Sequence, residues 1–387
     1  MKVNLSSKAM KRMVMDMQLN DIKLKDFRNY EDLTVTFSPG VNVFIGENAQ
    51  GKTSLLEAIY MMSLARSHRT ANEKDTIRWQ QDFARIEGSI STRTNPDLPL
   101  ALTITKSGKR AKVNHLNQNR MSDYIGKLNV VLFAPEDLEL IKGAPQLRRK
   151  FIDMELGQMS PKYLYESVQY NRLLKQRNAY LKQLLYKETQ DQIYLDILTE
   201  QLAASATHVI YQRLRFVDQL ESWAKPIHST ISHGLEELTL AYRGPIELTL
   251  DMTEDAIYQQ LMTKFKENKD HELARGVTLV GPHRDDLTFK VNGRDVQKFG
   301  SQGQQRTTVL SMKLAEIECM HEVLGEYPIL LLDDVLSELD NERQTHLLKS
   351  IQSKVQTFIT TTSLDGIQRE LIEEPRVFNI DAGAIAE

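Results

Sequence analysis

Alternating apolar and polar residues predict β-strands in the first third of the chain. The segments MQLNDIKLKDF (17–27) and LTVTF (33–37) alternate, whereas VNVFI (41–45) is a short apolar run. Alternation is typical of a half-buried strand, and a short apolar run is typical of a fully buried one. Further strands, with a basic turn between them, are predicted over 84–113, and NVVLFA (129–134) is another apolar strand.

The middle of the chain changes to a helical pattern. Over 136–232, apolar residues recur at intervals of three and four, in two runs of about thirty residues separated by a polar break near 187–191. This pattern predicts two packed helices or a short coiled arm. Strands are then predicted at LTLAY (238–242) and IELTL (246–250), and a polar helix is predicted over 254–274.

Strand patterns return towards the C-terminus and alternate with helices. In chain order, the pattern predicts strands at GVTLVG (276–281) and DLTFKVNG (286–293), a helix from about 303, the strand PILLLDD (328–334), a helix from Asn341 and the strand TFITT (357–361). The β-rich ends have to join into one sheet for either to have a core. The sequence therefore predicts an α/β fold, assembled from both chain ends and interrupted by a helical insertion.

Composition restricts the class of protein. With 387 residues, 41% hydrophobic and 26% charged, the chain has the composition of a globular protein of two or three domains. No apolar stretch is long enough for a membrane-spanning helix, and residues 1–16 resemble an unstructured leader or tag. The single cysteine, Cys319, excludes an intramolecular disulfide and lies in an apolar helical run, so we expect it to be buried. Together these features indicate the cytoplasm.

Positive charge is concentrated in one short segment, although the net charge of the chain is −3. Residues 101–120 contain five basic and no acidic side chains: Lys106, Lys109, Arg110, Lys112 and Arg120. This segment is either a solvated hairpin tip or a surface that contacts the phosphates of a nucleic acid. Arg148, Arg149 and Lys150 form a second, weaker candidate surface for phosphates, and they could equally pair with the acidic residues of 136–139.

A glycine-rich loop follows the strand 41–45. Its residues are Gly46, Glu47, Asn48, Ala49, Gln50, Gly51, Lys52 and Thr53, and Ser54 begins the helical pattern SLLEAIYMMSLA. Two glycines that bracket four residues before Lys-Thr are typical of a P-loop, in which backbone N–H groups and the helix N-terminus bind phosphates. In such a loop Lys52 reaches the outer phosphates, and the Thr53 hydroxyl ligates Mg²⁺.

Two carboxylates end the apolar strand 329–332. Because side chains alternate along a strand, Asp333 and Asp334 can serve different tasks. We expect Asp333 to bind Mg²⁺, usually through water, and Asp334 to orient or deprotonate the attacking water.

A polar, glycine-rich turn opens the helix that starts near 303. It contains Ser301, Gln302, Gly303 and Gln304, and a serine hydroxyl with free backbone N–H groups at a helix start forms an anion site. Taken alone, the turn is an ordinary helix cap. Together with the loop 46–53, it gives one chain two phosphate-binding helix N-termini, which one subunit cannot easily direct at the same γ-phosphate.

These motifs resemble the heads of ABC-type ATPases, in the branch that contains the SMC proteins, and within it the RecF family of bacterial recombination and gap-repair proteins. The resemblance runs from about residue 17 to the C-terminus. The segments that carry it are LKDFRNY (24–30), GENAQGKTSLLEAIY (46–60), ARSHRT (65–70), FAPEDLELIKGAP (133–145), RRKFID (148–153), GPHRDDL (281–287), GSQGQQRTTVLSMKLAE (300–316) and LLLDDVLSELD (330–340).

The resemblance implies an ABC-type P-loop head with a mixed β-sheet and flanking helices, and an inserted, mainly α-helical second lobe. The implied domains are 17–135 and 276–387 for the head and 136–275 for the lobe. Two heads are expected to form a homodimer with two ATP molecules between them. Ser301 and Gly303 of one subunit would then contact the γ-phosphate of the ATP bound by the other.

The family pattern also implies roles for further residues. Arg28 and Asn29 are second-tier candidates for nucleotide contact. Asp334 takes the place of the catalytic carboxylate, where transporter-type heads usually have Glu, and its shorter side chain is compatible with slow, DNA-stimulated hydrolysis. Thr361 or Thr362 stands where many such ATPases have a histidine that senses the γ-phosphate, so the sensor stays unassigned. The loop FAPEDLEL lacks the glutamine that many relatives have there.

The implied function is an ATP-gated clamp on single-stranded, double-stranded and gapped DNA, with recruitment of RecR (with RecO) and help in loading RecA. Lys106, Lys109, Arg110 and Lys112 would then contact DNA.

The main alternative function is an ATP-binding subunit of a membrane transporter. The helical insertion and the turn SQGQQ, in place of LSGGQ, argue against it. A small-molecule kinase would not need the Ser301 turn, and a nuclease would need a further domain.

Overall fold

The computed structural model describes residues 16–352, 354–363 and 374–386. The predicted leader therefore lies, except for residue 16, outside the described residues. The contacts between residues divide the chain into two compact units, residues 1–135 with 316–387 and residues 136–315. The segment 276–315, which the sequence analysis assigned to the head, is grouped with the middle of the chain in this division.

The strands and helices follow in chain order. The strands are β1 (Gln18–Phe27), β2 (Tyr30–Thr36), β3 (Val41–Ile45), β4 (Phe83–Ser91), β5 (Leu98–Thr105), β6 (Gly108–Val113), β7 (Leu116–Asn117), β8 (Val130–Phe133), β9 (Leu238–Arg243), β10 (Asp286–Val291), β11 (Arg294–Asp295), β12 (Ile329–Asp333), β13 (Thr357–Thr361), β14 (Arg376–Asp381) and β15 (Ala384–Ala386). The helices are α1 (Lys52–Leu64), α2 (Glu139–Lys142), α3 (Pro145–Met159), α4 (Pro161–Leu185), α5 (Gln192–Ile231), α6 (Glu254–Arg275), α7 (Val296–Phe299), α8 (Gln302–Leu324) and α9 (Asn341–Ile351).

In its described residues, the first unit contains two six-stranded sheets rather than the single sheet that the sequence predicts. One is antiparallel, with the order β2-β1-β4-β5-β6-β7, and consists of N-terminal strands alone. The other has the order β15-β14-β3-β13-β12-β8, and all its pairs are parallel except β14 with β15. The chain ends do meet in this second sheet, since β3 lies between β13 and β14.

Helix α1 contacts strands of both sheets, which explains why it is buried nearly all round. Every residue of α1 except Thr53 is buried, and a helix that is covered on all sides needs no polar face. A cluster of four phenylalanine rings, Phe37, Phe44, Phe358 and Phe378, packs with centroid distances of 4.8–6.2 Å. The core of this unit therefore unites residues from both ends of the sequence. Cys319 is fully buried, as expected.

The second unit is mainly helical, with α4, α5 and α6 packed together and a small antiparallel sheet of order β11-β10-β9. Its core contains a buried arginine, Arg177, which donates to Thr199 (2.9 Å), Thr278 (2.9 Å) and Glu272 (2.7 Å). The two predicted helical runs are confirmed as α4 and α5. No helix among the described residues is long and apolar enough to span a bilayer.

Two predicted strands are absent from the structure. The segment 276–281 is not a strand, because side chains take its backbone groups: Asn178 accepts from Thr278 N (2.7 Å) and Glu272 from Leu279 N (2.7 Å). The segment 246–250 directly follows Gly244 and Pro245 and pairs with no strand in the described part of the chain. Conversely, the strands β14 and β15 were not predicted from the sequence.

Candidate nucleotide site

Backbone geometry explains both glycines of the loop between β3 and α1. A Cβ atom on Gly46 would lie 2.3 Å from the carbonyl oxygen of Ile380 in β14, which is closer than atoms can approach. Gly51 has φ 121°, a conformation that side chains disfavour, and a Cβ there would lie 2.9 Å from the Tyr30 hydroxyl. Tyr30 also donates to the Gly51 carbonyl (3.0 Å). The loop is therefore held from two sides.

Lys52 lies inside the loop. Its Nζ donates to the carbonyl oxygens of Gly46 (2.6 Å) and Glu47 (2.8 Å). Burial lowers the pKa of Lys52, and the carboxylates of Asp334 and Asp333 oppose this shift. The ammonium group is thus held against the first two carbonyls of the loop, close to the acidic end of β12.

Thr53 and Asp333 meet where α1 begins and β12 ends. The Thr53 hydroxyl donates to Asp333 Oδ1 (3.0 Å), and Thr360 of β13 donates to the same oxygen (2.8 Å). Burial raises the pKa of Asp333, but the nearby His68 ring and the two hydroxyl groups outweigh it, so the pKa is below its usual value. The carboxylate is therefore kept ionised.

This pair fits Mg²⁺, a hard cation that prefers oxygen ligands. A hydroxyl and an ionised carboxylate within hydrogen-bonding distance of each other supply two such ligands. Among the residues that the structure describes, no group of three or more His, Cys, Asp or Glu side chains could hold a metal ion. The remaining ligands would have to come from water and from phosphate oxygens, as is usual for Mg²⁺ in nucleotide sites.

Asp334 directly follows Asp333 and has other hydrogen-bond partners. Its backbone has φ 56°, which is uncommon for a residue other than glycine, and its N–H donates to the Thr360 hydroxyl (2.9 Å). Ser337 donates to the Asp334 carbonyl (2.7 Å) and lies 3.4 Å from its carboxylate. The carboxylates of the two adjacent acids therefore have different neighbours. Asp340 caps α9 by accepting from Arg343 N (2.9 Å).

The second-tier candidates differ in their contacts. Asn29 donates to the carbonyl oxygen of Ala49 in the loop (3.3 Å). Arg28 instead forms two hydrogen bonds with Glu57 of α1, at 2.7 and 2.9 Å. Glu57 is fully buried, and although burial raises its pKa, the hydrogen bonds from Arg28 and Ser67 outweigh this effect and lower it. In the structure, Arg28 is therefore engaged in holding α1.

The C-terminal strands support the other side of the loop. The N–H of Ala382 donates to Gln50 Oε1 (2.6 Å), and that of Gly383 donates to the Gln50 carbonyl (2.9 Å). Both donors lie in the turn between β14 and β15. Of the candidate loop residues, Asn48 is exposed and Ser54 is buried.

The turn 300–304 belongs to the other compact unit and caps α8. The Ser301 hydroxyl accepts from Gln304 N (3.2 Å), and the Gln304 side chain accepts in return from Ser301 N (2.9 Å). This reciprocal pair is a capping box. Gln304 also donates to Glu236 (2.9 Å), while Ser301 and Gln302 are exposed and Gly303 is half-buried. The exposed serine is accessible to a ligand from outside its own unit.

The basic residues of β6 do not share one face. Lys109 lies on the face of buried Ala111, and its Nζ donates to Ala65 O (2.8 Å) and to Glu73 (3.0 Å). Arg110 and Lys112 alternate with it and lie on the opposite face of the sheet. In the turn before them, Lys106 pairs with exposed Asp82 (2.7 Å).

The second basic cluster is largely engaged within its unit. Arg148 binds Asp286 with two hydrogen bonds (2.7 and 2.9 Å), and Arg149 donates to the Asp285 carbonyl (2.7 Å). These partners are not the acidic residues of 136–139 that the sequence suggested.

Sequence reasoning missed several residues of the site. Thr360, not the sensor candidates Thr361 and Thr362, contacts Asp333, whereas Thr361 donates to the Ser363 carbonyl (2.7 Å). His68 is 3.9 Å from Asp333, between Nε2 and Oδ2. Since 265 residues separate His68 from Asp333, no local pattern could have paired them.

Taken together, a P-loop on a parallel sheet, an acidic strand end beside it and a separate capped serine turn define the head of an SMC-type P-loop ATPase. The sequence model of the family described as RecF/RecN/SMC N terminal domain matches residues 18–378. At the level of fold alone, a solved Smc head domain from Pyrococcus furiosus is similar, with a TM-score of 0.55 and 14% identity, covering 95% of each chain.

Among curated proteins, the chain is 56% identical to the DNA replication and repair protein RecF of Pediococcus pentosaceus, over 96% of this chain and 99% of that protein. It is 53% identical to the same protein of Bacillus subtilis, over 96% and 100%. A solved structure of the recombination mediator protein RecF with ATPrS, in the RecFOR pathway, has a TM-score of 0.89 and 32% identity, covering 96% of this chain and 98% of that chain. The chain belongs to the RecF family.

Proposed function

We propose that this chain is an ATP-dependent DNA-binding clamp of recombinational gap repair. Its curated relatives are named DNA replication and repair proteins, and solved structures of the recombination mediator RecF are described with ATP and ATPrS. In the proposed cycle the chain binds ATP with Mg²⁺, dimerises on ATP, binds single- and double-stranded DNA at gaps, and hydrolyses ATP slowly.

One observation carries the nucleotide part of this proposal: the Thr53 hydroxyl meets the ionised Asp333 carboxylate 280 residues away, directly beside the lysine of the loop. Lys52 would exchange its hydrogen bonds to the loop carbonyls for the outer phosphates. Thr53 and Asp333 would hold Mg²⁺, which when bound neutralises charge on the phosphate oxygens.

Asp334 is the candidate for orienting the attacking water. Its carboxylate acts electrostatically on Lys52, and Ser337 is the neighbouring donor. A single short acid in this place supports weak hydrolysis, in which loss of the γ-phosphate acts as the switch that opens the clamp.

The capped turn of α8 supplies the second half of the proposed ATP site, and this half belongs to the other subunit of a dimer. Ser301 is exposed at a helix N-terminus, where an anion is stabilised by backbone N–H groups and by the helix dipole. We propose that Ser301 and Gly303 of one subunit bind the γ-phosphate held by the loop of the other. Since ATP then binds the closed dimer more tightly than the open monomers, it stabilises the dimer by mass action.

The proposed DNA contacts are Arg110 and Lys112, which share the solvent face of β6, together with Lys106 in the preceding turn. Contacts of lysine and arginine with phosphates give binding that is independent of sequence and weakened by salt. Lys109, which the sequence predicts with them, is held by Ala65 O and Glu73, so we do not expect it to contact a phosphate. We propose RecR, RecO and RecA as partners on the basis of family membership alone.

Molar mass in solution tests this proposal. With ATP, light scattering should give the mass of a dimer for the unmodified chain, and without ATP the mass of a monomer. Lys52→Arg should impair ATP-dependent dimerisation, because its planar group does not reproduce the compact ammonium, and Asp334→Asn should prolong it, because hydrolysis is slowed.

The matched control is Lys74→Arg, the same substitution at an exposed position outside the loop, which should dimerise normally. A monomer under every condition contradicts the clamp. Gapped DNA separates the clamp from the transporter rival, since a transporter subunit should not retain DNA with or without ATP. Ser301→Arg should abolish dimerisation, whereas a kinase would keep its activity.

A further inference from the structure

His68 is a buried histidine whose ring has no hydrogen-bond partner in the described part of the chain. Its side chain is 10% exposed, and neither Nδ1 nor Nε2 makes a hydrogen bond. The nearest acidic oxygen, Asp333 Oδ2, is 3.9 Å from Nε2, which is too far for a hydrogen bond. Buried polar groups are nearly always paired, so an unpaired ring beside a proposed cation ligand requires an explanation.

The position of His68 is fixed by its neighbours. Ser67 donates to Glu57 (2.5 Å) and accepts the backbone N–H groups of Arg69 and Thr70 (3.0 Å each). The His68 ring packs edge-on against Tyr60, with 5.1 Å between centroids. The segment is therefore tied to buried Glu57, and its histidine is held next to Asp333.

The two oxygens of Asp333 are unequally satisfied. Oδ1 accepts from both Thr53 and Thr360, whereas Oδ2 faces His68 across the 3.9 Å gap. We propose that His68 is a positioning residue of the nucleotide site, whose Nε2 hydrogen-bonds to Asp333 Oδ2, directly or through one water, in the nucleotide-bound state. This inference rests on the proposed binding of ATP with Mg²⁺ at the same site.

Such a contact would orient the carboxylate that holds the cation. Carboxylates that ligate a metal are themselves held by hydrogen bonds from neighbouring groups. Loss of such a neighbouring group typically weakens metal affinity about 10–100-fold. A nucleotide-bound state that closes the gap between His68 and Asp333 is favoured, because an unpaired buried donor or acceptor is costly.

Three substitutions test this role. Glutamine places its amide near the position of Nε2, asparagine places it near Nδ1, and phenylalanine keeps the ring without either nitrogen. For His68→Gln, His68→Asn and His68→Phe, the affinity for a fluorescent ATP analogue is measured in EDTA and in Mg²⁺. The control is His321→Asn, since His321 stacks on Tyr327 instead.

The ratio of the two affinities reports the contribution of the cation. The affinity in Mg²⁺ divided by the affinity in EDTA should fall about ten-fold for His68→Asn and His68→Phe, with the EDTA affinity unchanged. His68→Gln and the control should keep the ratio of the unmodified chain. A wild-type ratio in all variants, an equal loss in His68→Gln and His68→Asn, or an equal loss in EDTA overturns the role of His68. Absence of nucleotide binding by the unmodified chain overturns the proposed function itself.

Discussion

At the scale of single residues, the site depends on acids whose charge is maintained after burial. Burial raises the pKa of Asp333, but the nearby His68 ring and the hydroxyl donors from β13 and α1 outweigh burial and lower it. The pKa of Glu57 is lowered in the same way one helical turn beyond the loop, where Arg28, Ser67 and Arg69 supply its partners. Burial alone would neutralise such carboxylates, so their partners decide the charge of the site.

We expect Glu57→Gln to lower the free energy of unfolding by about 3 kcal/mol, because it leaves Arg28 without its buried counter-ion. Urea denaturation measures this change. The control is Asp32→Asn, which removes an exposed pair with Lys25 and should cost less than about 1 kcal/mol. Equal effects of the two substitutions would contradict the assigned role of Glu57.

The same pair predicts a dependence of stability on pH. The folded-state pKa of Glu57 is lowered from 4.5, so its contribution is complete above that value and is lost as the pH falls through the folded-state pKa. The difference in unfolding free energy between the unmodified chain and Glu57→Gln should therefore shrink as the solution is acidified below pH 4.5. A constant difference would show that the charge of Glu57 is not responsible.

At the scale of elements, the phosphate loop is shaped by a strand from the opposite end of the chain. Strand β14 runs parallel to β3, and its Ile380 carbonyl occupies the space beside Gly46. The turn after β14 then donates two hydrogen bonds to Gln50. The loop conformation is thus a joint product of a local motif and a distant strand.

Gly46→Ala should therefore displace β14 or the loop, lower the unfolding free energy by about 1–3 kcal/mol and weaken nucleotide binding. Thermal unfolding and fluorescent-nucleotide titration measure the two effects. Gly40→Ala is the matched control, since only Ser38 Oγ lies within 4 Å of the added Cβ, at 4.0 Å. Normal binding by Gly46→Ala would show that β14 does not constrain the loop.

At the scale of the whole molecule, DNA binding should depend on where each basic side chain is directed, and not on the net charge of −3. The double substitution Arg110→Ala with Lys112→Ala should reduce the slope of log K against log salt by about 2, one for each lost phosphate contact. Titration of gapped DNA at several salt concentrations measures this slope. Lys109→Ala should leave it unchanged, because its ammonium group is already held by Ala65 O and Glu73. A larger loss for Lys109→Ala would contradict this assignment.

Local pattern was sufficient for most elements and for the main chemical groups. The loop 46–53, the acidic end of β12 and the capped serine turn follow from residues that are adjacent in sequence, because glycine geometry, strand alternation and helix capping are local effects. The segment 276–281 was misassigned because its apolar pattern is also that of a strand, whereas its backbone groups are taken by Asn178 and Glu272. Domain boundaries and the assigned site roles stay predictions.

The sequence by itself therefore determined the P-loop, its paired acids, the helical middle and the family. Only the tertiary structure decided that the β-rich ends form two sheets, that Thr360 and His68 approach Asp333, that Arg28 holds Glu57, and that Lys109 lies on the core face. The reason is physical: these contacts join residues far apart in the chain, and they are set by packing and by the pairing of buried polar groups, which no local periodicity encodes.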